Sequence, residues 1–301
     1  MLETLLSWDF LNSVLRMTTP LLFAAMAAII SNKADVLCIA FEGIMLFGAF
    51  GASLGNAWFH CVGGGMIVGL ILGVFMAAVF GYFVIYLDTK PMLIGLALNM
   101  LGSGGTVFLL YLVAGTKSSS SMMESHIFPD IDIPIIKDIP VLGQVLSGHN
   151  FLTYLSFLSV LIVWLILFKT PLGLRIRSVG ENPTASEAVG INVKKTQFIA
   201  LIISGILAAL GGIYMTTGYL PYFTRDMVAG RGFMGIAAQN LGAGNPVLTM
   251  LSTIFFGAAI AVGNIAQQFA IPSQFAAMLP YIATLFGLVL MNLRKVVKSE
   301  V

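Results

Sequence analysis

The sequence predicts an all-α fold: a polytopic transmembrane helix bundle of about nine segments, eight to ten depending on how one interrupted stretch is counted. Three observations carry this. Only 9% of the 301 residues are charged and 58% are hydrophobic, whereas a soluble domain carries about 25% charge. The mean hydropathy is +0.97. Long runs also lack Asp, Glu, Lys and Arg altogether, namely 43–87, 91–116, 139–168, 196–224 and 232–293. So few charges cannot cover the surface of a soluble protein of this length, so lipid is part of the solvent. A membrane barrel would read as alternating strands of about ten residues. These runs are continuously apolar, and helices satisfy their own backbone groups in lipid.

A span needs about 20 apolar residues because the hydrocarbon core is about 30 Å thick. On that scale the segments fall near 13–30, 36–56, 62–87, 91–114, 151–168, 197–219, 232–244, 247–268 and 276–293, all in one transmembrane domain covering 1–301. In the third, Gly65, Gly69 and Gly73, extended by Ala77 and Gly81, form a ridge of small residues. Gly51 and Gly55 repeat the pattern in the second, so tight helix packing is expected there. The seventh is short and interrupted by Gly242, Gly244 and Pro246. It reads as a half-span or re-entrant piece, tolerated at depth only beside protein or a cavity.

Lys and Arg in short loops set the orientation. Lys169, Arg175, Arg177, Lys194 and Lys195 in the 169–195 loop, with Arg294, Lys295 and Lys298 in the tail, place both inside. The 115–150 loop carries Glu124, Asp130, Asp132 and Asp138 against Lys117 and Lys137, so it is expected outside, with Pro129, Pro134 and Pro140 favouring extended turns. The amino terminus is then out and the carboxyl terminus in. Arg225, Asp226 and Arg231 are expected in the outer turn before the seventh segment.

Polar residues within the spans are few. Glu42 lies near the start of the second, where it suits either a solute pathway or, as the sequence favours, a structural bond to a neighbouring helix. Asn99, Gln239, Asn240, Asn264, Gln267 and Gln268 are amides in apolar runs; most are expected to join helices. Glu42, Asn99, Gln239 and Asn240 are the candidate lining of a translocation path, with the last two preferred. No catalytic or metal site is predicted. The three histidines, His60, His126 and His149, and the two cysteines, Cys38 and Cys61, have no metal-ligand spacing. The net charge of +2 gives no reason to expect nucleic acid.

The 169–195 loop is more organised than a linker requires. Asn182 suits an N-cap, Pro183 the first helical position, and Gly190 a left-handed C-terminal residue. A short helix near 183–189 is therefore expected between basic flanks, as an interfacial helix or as a docking site.

Four stretches together, FEGIMLFGAFGA (41–52), GLRIRSVGENPTASEAVGINVKK (173–195), SGILAALGGIY (204–214) and GFMGIAAQNLGAGNP (232–246), resemble the permeases of ABC importers for branched-chain amino acids and simple sugars. The chain is most similar to the nucleoside-importing subgroup. The resemblance implies a multi-pass bacterial inner-membrane protein that forms the path for a small hydrophilic solute, nucleosides first and simple sugars next. It makes 169–195 the cytoplasmic coupling loop, with Asn182, Pro183, Ala185, Glu187, Ala188 and Gly190 coupling to the ATPase. Val189 departs from the second Ala of the wider importer motif.

The partners implied are a cytoplasmic ABC ATPase, a second and non-identical permease subunit, and an extracytoplasmic solute-binding lipoprotein. No cofactor is expected in this chain, because ATP and Mg would be bound by the ATPase. Consistent with this, no GxxxxGK[ST] phosphate-binding loop occurs. The alternative is a self-sufficient secondary transporter or channel. Against it, Glu42 is nearly the only acidic group within a span available to relay protons.

Overall fold

The computed structural model describes residues 8–123, 125–131 and 147–268, together with Met278 and Ile282. Helices occupy eight of the nine expected positions. They are α1 (Trp8–Lys33), α2 (Phe41–Phe59), α3 (Val62–Gly81, extended by a π-helical turn Tyr82–Tyr86), α4 (Pro91–Ala114), α5 (Phe151–Lys169), α8 (Val193–Tyr214, extended by a π-helical turn Met215–Tyr219), α9 (Arg231–Leu241) and α10 (Pro246–Gln268). Apart from Met278 and Ile282, the expected ninth segment lies outside the described residues, as do the tail cations and most of the Pro-rich part of the 115–150 loop. Around that loop, β1 (Asp130–Ile131) pairs antiparallel with β2 (His149–Asn150).

Among the described residues, six helices are long and apolar enough to cross a membrane: α1, α3, α4, α5, α8 and α10, those of α3 and α8 counted with their π-helical turns. The other long helix, α2, is not among them, and its burial explains why. Every residue from Phe41 to Asn56 is buried, so α2 meets protein on all sides and need not be greasy enough for lipid. Its glycines bring it close to three neighbours. A Cβ on Gly48 would stand 2.9 Å from the Ala209 carbonyl oxygen of α8, and one on Gly51 2.9 Å from Gly69 Cα of α3. On α4, a Cβ at Gly102 would stand 2.6 Å from Gly43 Cα. The expected small-residue ridge of α3 is the other half of this packing, with Gly65, Gly69 and Gly73 all buried.

Lipid-facing helices show the opposite composition. The apolar windows of α3 and α4 are only 33% and 28% buried, against 83% for α1 and 72% for α8. Ile67, Ile71 and Phe75 on α3, and Leu93, Met100 and Phe108 on α4, point outward. In water such a surface would aggregate; in hydrocarbon it is the solvent-matched face.

Two expectations need correction. Helix α2 begins at Phe41 rather than near residue 36; residues 36–39 have no regular secondary structure. Apolar runs mark burial, but a helix begins where its first N–H groups find acceptors, and here these are supplied from elsewhere in the fold. The 169–195 loop holds two helices rather than one, α6 (Pro171–Glu181) before α7 (Pro183–Ala188). Thr170 caps α6 as Asn182 caps α7, each followed by Pro at the first position. Ile176 and Val179 bury the inner face of α6, while Arg175 and Arg177 made the stretch look like plain loop.

Candidate functional site

The α6–α7 hairpin is assembled by local rules. The Asn182 side-chain oxygen accepts the Ala185 N–H at 2.9 Å, satisfying one of the donors a helix start leaves open. Pro183 gives up no needed donor at the first position. Gly190 has φ +85, the left-handed value glycine reaches without a Cβ penalty. Ser178 and Ser186 join the two helices hydroxyl to hydroxyl at 2.6 Å, and Ser186 is the buried residue of α7. Facing outward are Ala185, Glu187, Ala188, Val189 and Gly190, with Val189 76% exposed. The hairpin is anchored to the Lys33 end of α1. Gly180 lies against the Lys33 carbonyl with no room for a side chain, and α8 is tied to the same place by Gln197, whose Nε2 donates to the Ala34 carbonyl at 3.2 Å.

Deeper in the bundle, α9 is a half-length helix. Eleven residues span about 16 Å, roughly half of a hydrocarbon core. It starts beside the middle of α1 and runs toward the Lys33 end: a Cβ on Gly235 would stand 2.6 Å from Ala24 Cβ. Near its other end, Gln239 shares a narrow cleft with Ser31, Asn32 and Cys38. A helix that begins inside a membrane must have its first N–H groups satisfied by protein. Glu42 does this. Its Oε1 accepts the Gly230 N–H at 2.7 Å and its Oε2 the Gly232 N–H at 2.9 Å. A carboxylate is also well placed at the positive end of a helix dipole. Gly230, with φ +80, turns the chain into α9.

The start of α2 is capped in the same remote fashion. Asn99 on α4 accepts the Gly43 N–H at 2.8 Å and donates to the Ile39 carbonyl at 2.9 Å. A chain of caps therefore runs from α4 to α2 to α9, and it joins two of the four residues singled out as path lining. Of the others, Gln239 is 5% exposed and Asn240 lies on the exposed side of α9. Arg231 is the first residue of α9, and its guanidinium donates to the Met227 and Val228 carbonyls of the turn that also holds Arg225 and Asp226, both at 3.1 Å. Arg225 stays with the loop that follows α4, its N–H bonded to the Ser118 carbonyl at 3.0 Å.

Sequence reasoning missed the third use of a local cap followed by proline. Asn245 accepts the Val247 N–H at 3.0 Å with Pro246 beside it, so the Pro read as an interruption also starts α10. The Asn-Pro pair seen at 182–183 was the available signal. Among the described residues, no group of three or more His, Cys, Asp or Glu converges as a metal site would.

The family model described as "Branched-chain amino acid transport system / permease component" matches residues 10–291. The guanosine ABC transporter permease protein NupQ of Bacillus subtilis is 34% identical over 89% of this chain and 87% of its own length. The nucleoside ABC transporter permease protein NupC of Lactococcus lactis is 30% identical over 91% of this chain and 89% of its own. Among solved structures, a chain of PsaBC from Streptococcus pneumoniae in complex with Fab aligns with a TM-score of 0.53 at 14% identity, covering 95% of this chain and 93% of that one. That likeness speaks to the fold alone.

Proposed function

The chain belongs to the branched-chain amino acid transport system permease family, and from that premise we propose that it is the permease subunit of an ATP-driven importer of nucleosides. As a permease it is a transport component embedded in the cell membrane rather than an enzyme. ATP, with its Mg, is bound and hydrolysed by a separate cytoplasmic ATPase. The remaining partners are a second permease subunit and an extracytoplasmic solute-binding lipoprotein.

The observation that carries the coupling reading is the capped helix α7. It is held rigidly through Ser186 and Asn182, and it presents a small-residue surface, Ala185 and Ala188, to whatever docks there. In this reading Lys33, the hairpin and the carboxyl terminus are cytoplasmic, and the amino terminus is outside. The ATPases push α7, the hairpin passes the motion to α1 through the Gly180–Lys33 contact, and the bundle alternates between outward- and inward-facing states. Only ligand or nucleotide binding that differs between the states shifts their balance.

Half-helix α9 is the proposed wall of the path, with Asn240 on its exposed side and Gln239 at its inner end. Glu42 and Asn99 support that wall as caps rather than by touching solute. The nucleoside assignment rests on the similarity to NupQ and NupC.

The test is purification of the complex from its own membrane, identification of what accompanies the chain, and uptake of labelled nucleoside in proteoliposomes. Wild type is expected to arrive with an ATPase and a lipoprotein and to take up nucleoside only with ATP. Ala185→Lys with Ala188→Lys is expected to insert normally and lose uptake. A lone chain that moves solute under an ion gradient without ATP would establish the secondary-transporter alternative instead.

A further inference from the structure

Between the Lys33 end of α1 and the α6–α7 hairpin lies a cavity of about 460 Å³, lined by Lys33, Asp35, Phe168, Leu174, Arg177 and Glu181 among others. Its chemistry is of mixed sign. Arg177 sits with its guanidinium carbon 5.0 Å from the centre of the Phe168 ring, a stacking that fixes the plane of the cation. Its Nε is buried and has no hydrogen-bond partner. A buried donor without an acceptor is costly, and a planar guanidinium carries paired N–H donors that match the two oxygens of a phosphate. Asp35 and Glu181 are exposed carboxylates of the same cavity. They repel a bare anion, but they suit a ligand that carries a cation a few atoms from its phosphate.

The cavity also lies at a defined depth. At the end of α5, Lys169 Nζ stands 5.6 Å from the Trp164 ring centre, the pairing of aromatic and basic side chains that marks the headgroup level. Phe168 is the next residue, and α5 is lipid-facing through Leu158, Leu161 and Leu165. Leu174, 62% exposed, continues the apolar surface on α6. Ala185, Ala188 and Val189, the surface offered to a soluble partner, are not part of the cavity wall.

We propose that this cavity binds the headgroup of an aminophospholipid, with the phosphodiester on Arg177, the primary ammonium toward Asp35 and Glu181, and the acyl chains along Phe168 and Leu174. The lipid then braces the hairpin against the end of α1. The inference rests on reading the chain as a membrane protein with this end at the bilayer surface. It does not depend on the transported solute.

The test is stepwise delipidation of the purified complex in an equal mixture of phosphatidylethanolamine, phosphatidylcholine and phosphatidylglycerol, with retained lipid counted by native mass spectrometry. Phosphatidylcholine has no N–H donors on its cation, and phosphatidylglycerol has no cation. Wild type is expected to retain phosphatidylethanolamine about tenfold over either, the scale of one charge-assisted hydrogen bond. Arg177→Gln is expected to abolish that preference. Asp35→Asn with Glu181→Gln, both at exposed positions, is expected to retain phosphatidylglycerol as well as phosphatidylethanolamine. This second variant decides the matter if Arg177→Gln fails to fold, as thermal unfolding would reveal. Equal retention of the three lipids by wild type, or an unchanged preference in folded variants, overturns the proposal. Displacement of the lipid by millimolar inorganic phosphate overturns it too, by identifying a site for free anions. Loss of uptake with lipid selectivity intact would count against the importer reading alone.

Discussion

The hairpin α6–α7 and the half-helix α9 both begin with a capped turn, but their caps come from different distances. Asn182 reaches three residues along its own chain to Ala185. Glu42 reaches across the bundle to Gly230 and Gly232, and Asn99 across to Gly43 and Ile39. The difference follows from the surroundings. At the end of the bundle an uncapped N–H finds water, so a local side chain improves a turn that would otherwise be adequate. Inside the membrane there is no water, and the cap becomes a condition for beginning a helix there at all. A local cap tunes a helix; a remote cap permits one.

The comparison can be broken most severely at Glu42. Glu42→Ala leaves the buried Gly232 N–H and the partly buried Gly230 N–H without acceptors and is expected to cost about 2–5 kcal/mol, read as lost yield and a lowered unfolding temperature in detergent. Glu42→Gln keeps the shape, but its amide NH2 cannot accept from an N–H, so the variant should impair assembly more than substrate affinity. Normal complex yield with a raised transport KM would instead make Glu42 a path residue.

Asn99→Leu removes the other remote cap while keeping a side chain of similar volume. Because the Ile39 carbonyl is only partly buried, about 1–3 kcal/mol is expected. A loss no greater than that of a local cap would mean that α2 can begin without outside help.

At the hairpin the effects are smaller. Asn182→Ala should cost about 1 kcal/mol, and the same unfolding measurement on the intact chain checks it. The smallest effect on stability belongs to the Ala185→Lys, Ala188→Lys pair, within about 0.5 kcal/mol at exposed positions, although uptake is expected to be lost. A large drop in unfolding temperature for that pair would mean that the outer face of α7 packs against this chain, leaving nothing for an ATPase to grip.

Much of this architecture was legible in the residues. Charge-free runs located seven of the helices, α2 to α5 and α8 to α10, because burying a charge in lipid is expensive wherever it falls in sequence. The start of α7 was legible because cap, proline and glycine act on their immediate neighbours. Helix α6 was not recognised, although Thr170 and Pro171 repeat the signal of Asn182 and Pro183. Its two arginines drew attention away from the apolar spacing of Ile176 and Val179. The irregular run 36–39 was misread as helix because its residues are apolar. Apolar character reports burial and is silent about which backbone groups will be satisfied.

The sequence by itself determined the class of molecule, the approximate place of each described helix except α6, and the capped start of α7. All of these depend on composition or on interactions within about four residues. Tertiary structure alone decided which helix would be the buried hub and which helix starts Glu42 and Asn99 would hold. Those outcomes depend on pairs such as Glu42 with Gly232 and Asn99 with Gly43, whose members lie far apart along the chain. The physical reason is that a backbone N–H in lipid must be paired, and which acceptor lies within 3 Å is settled only when the helices pack.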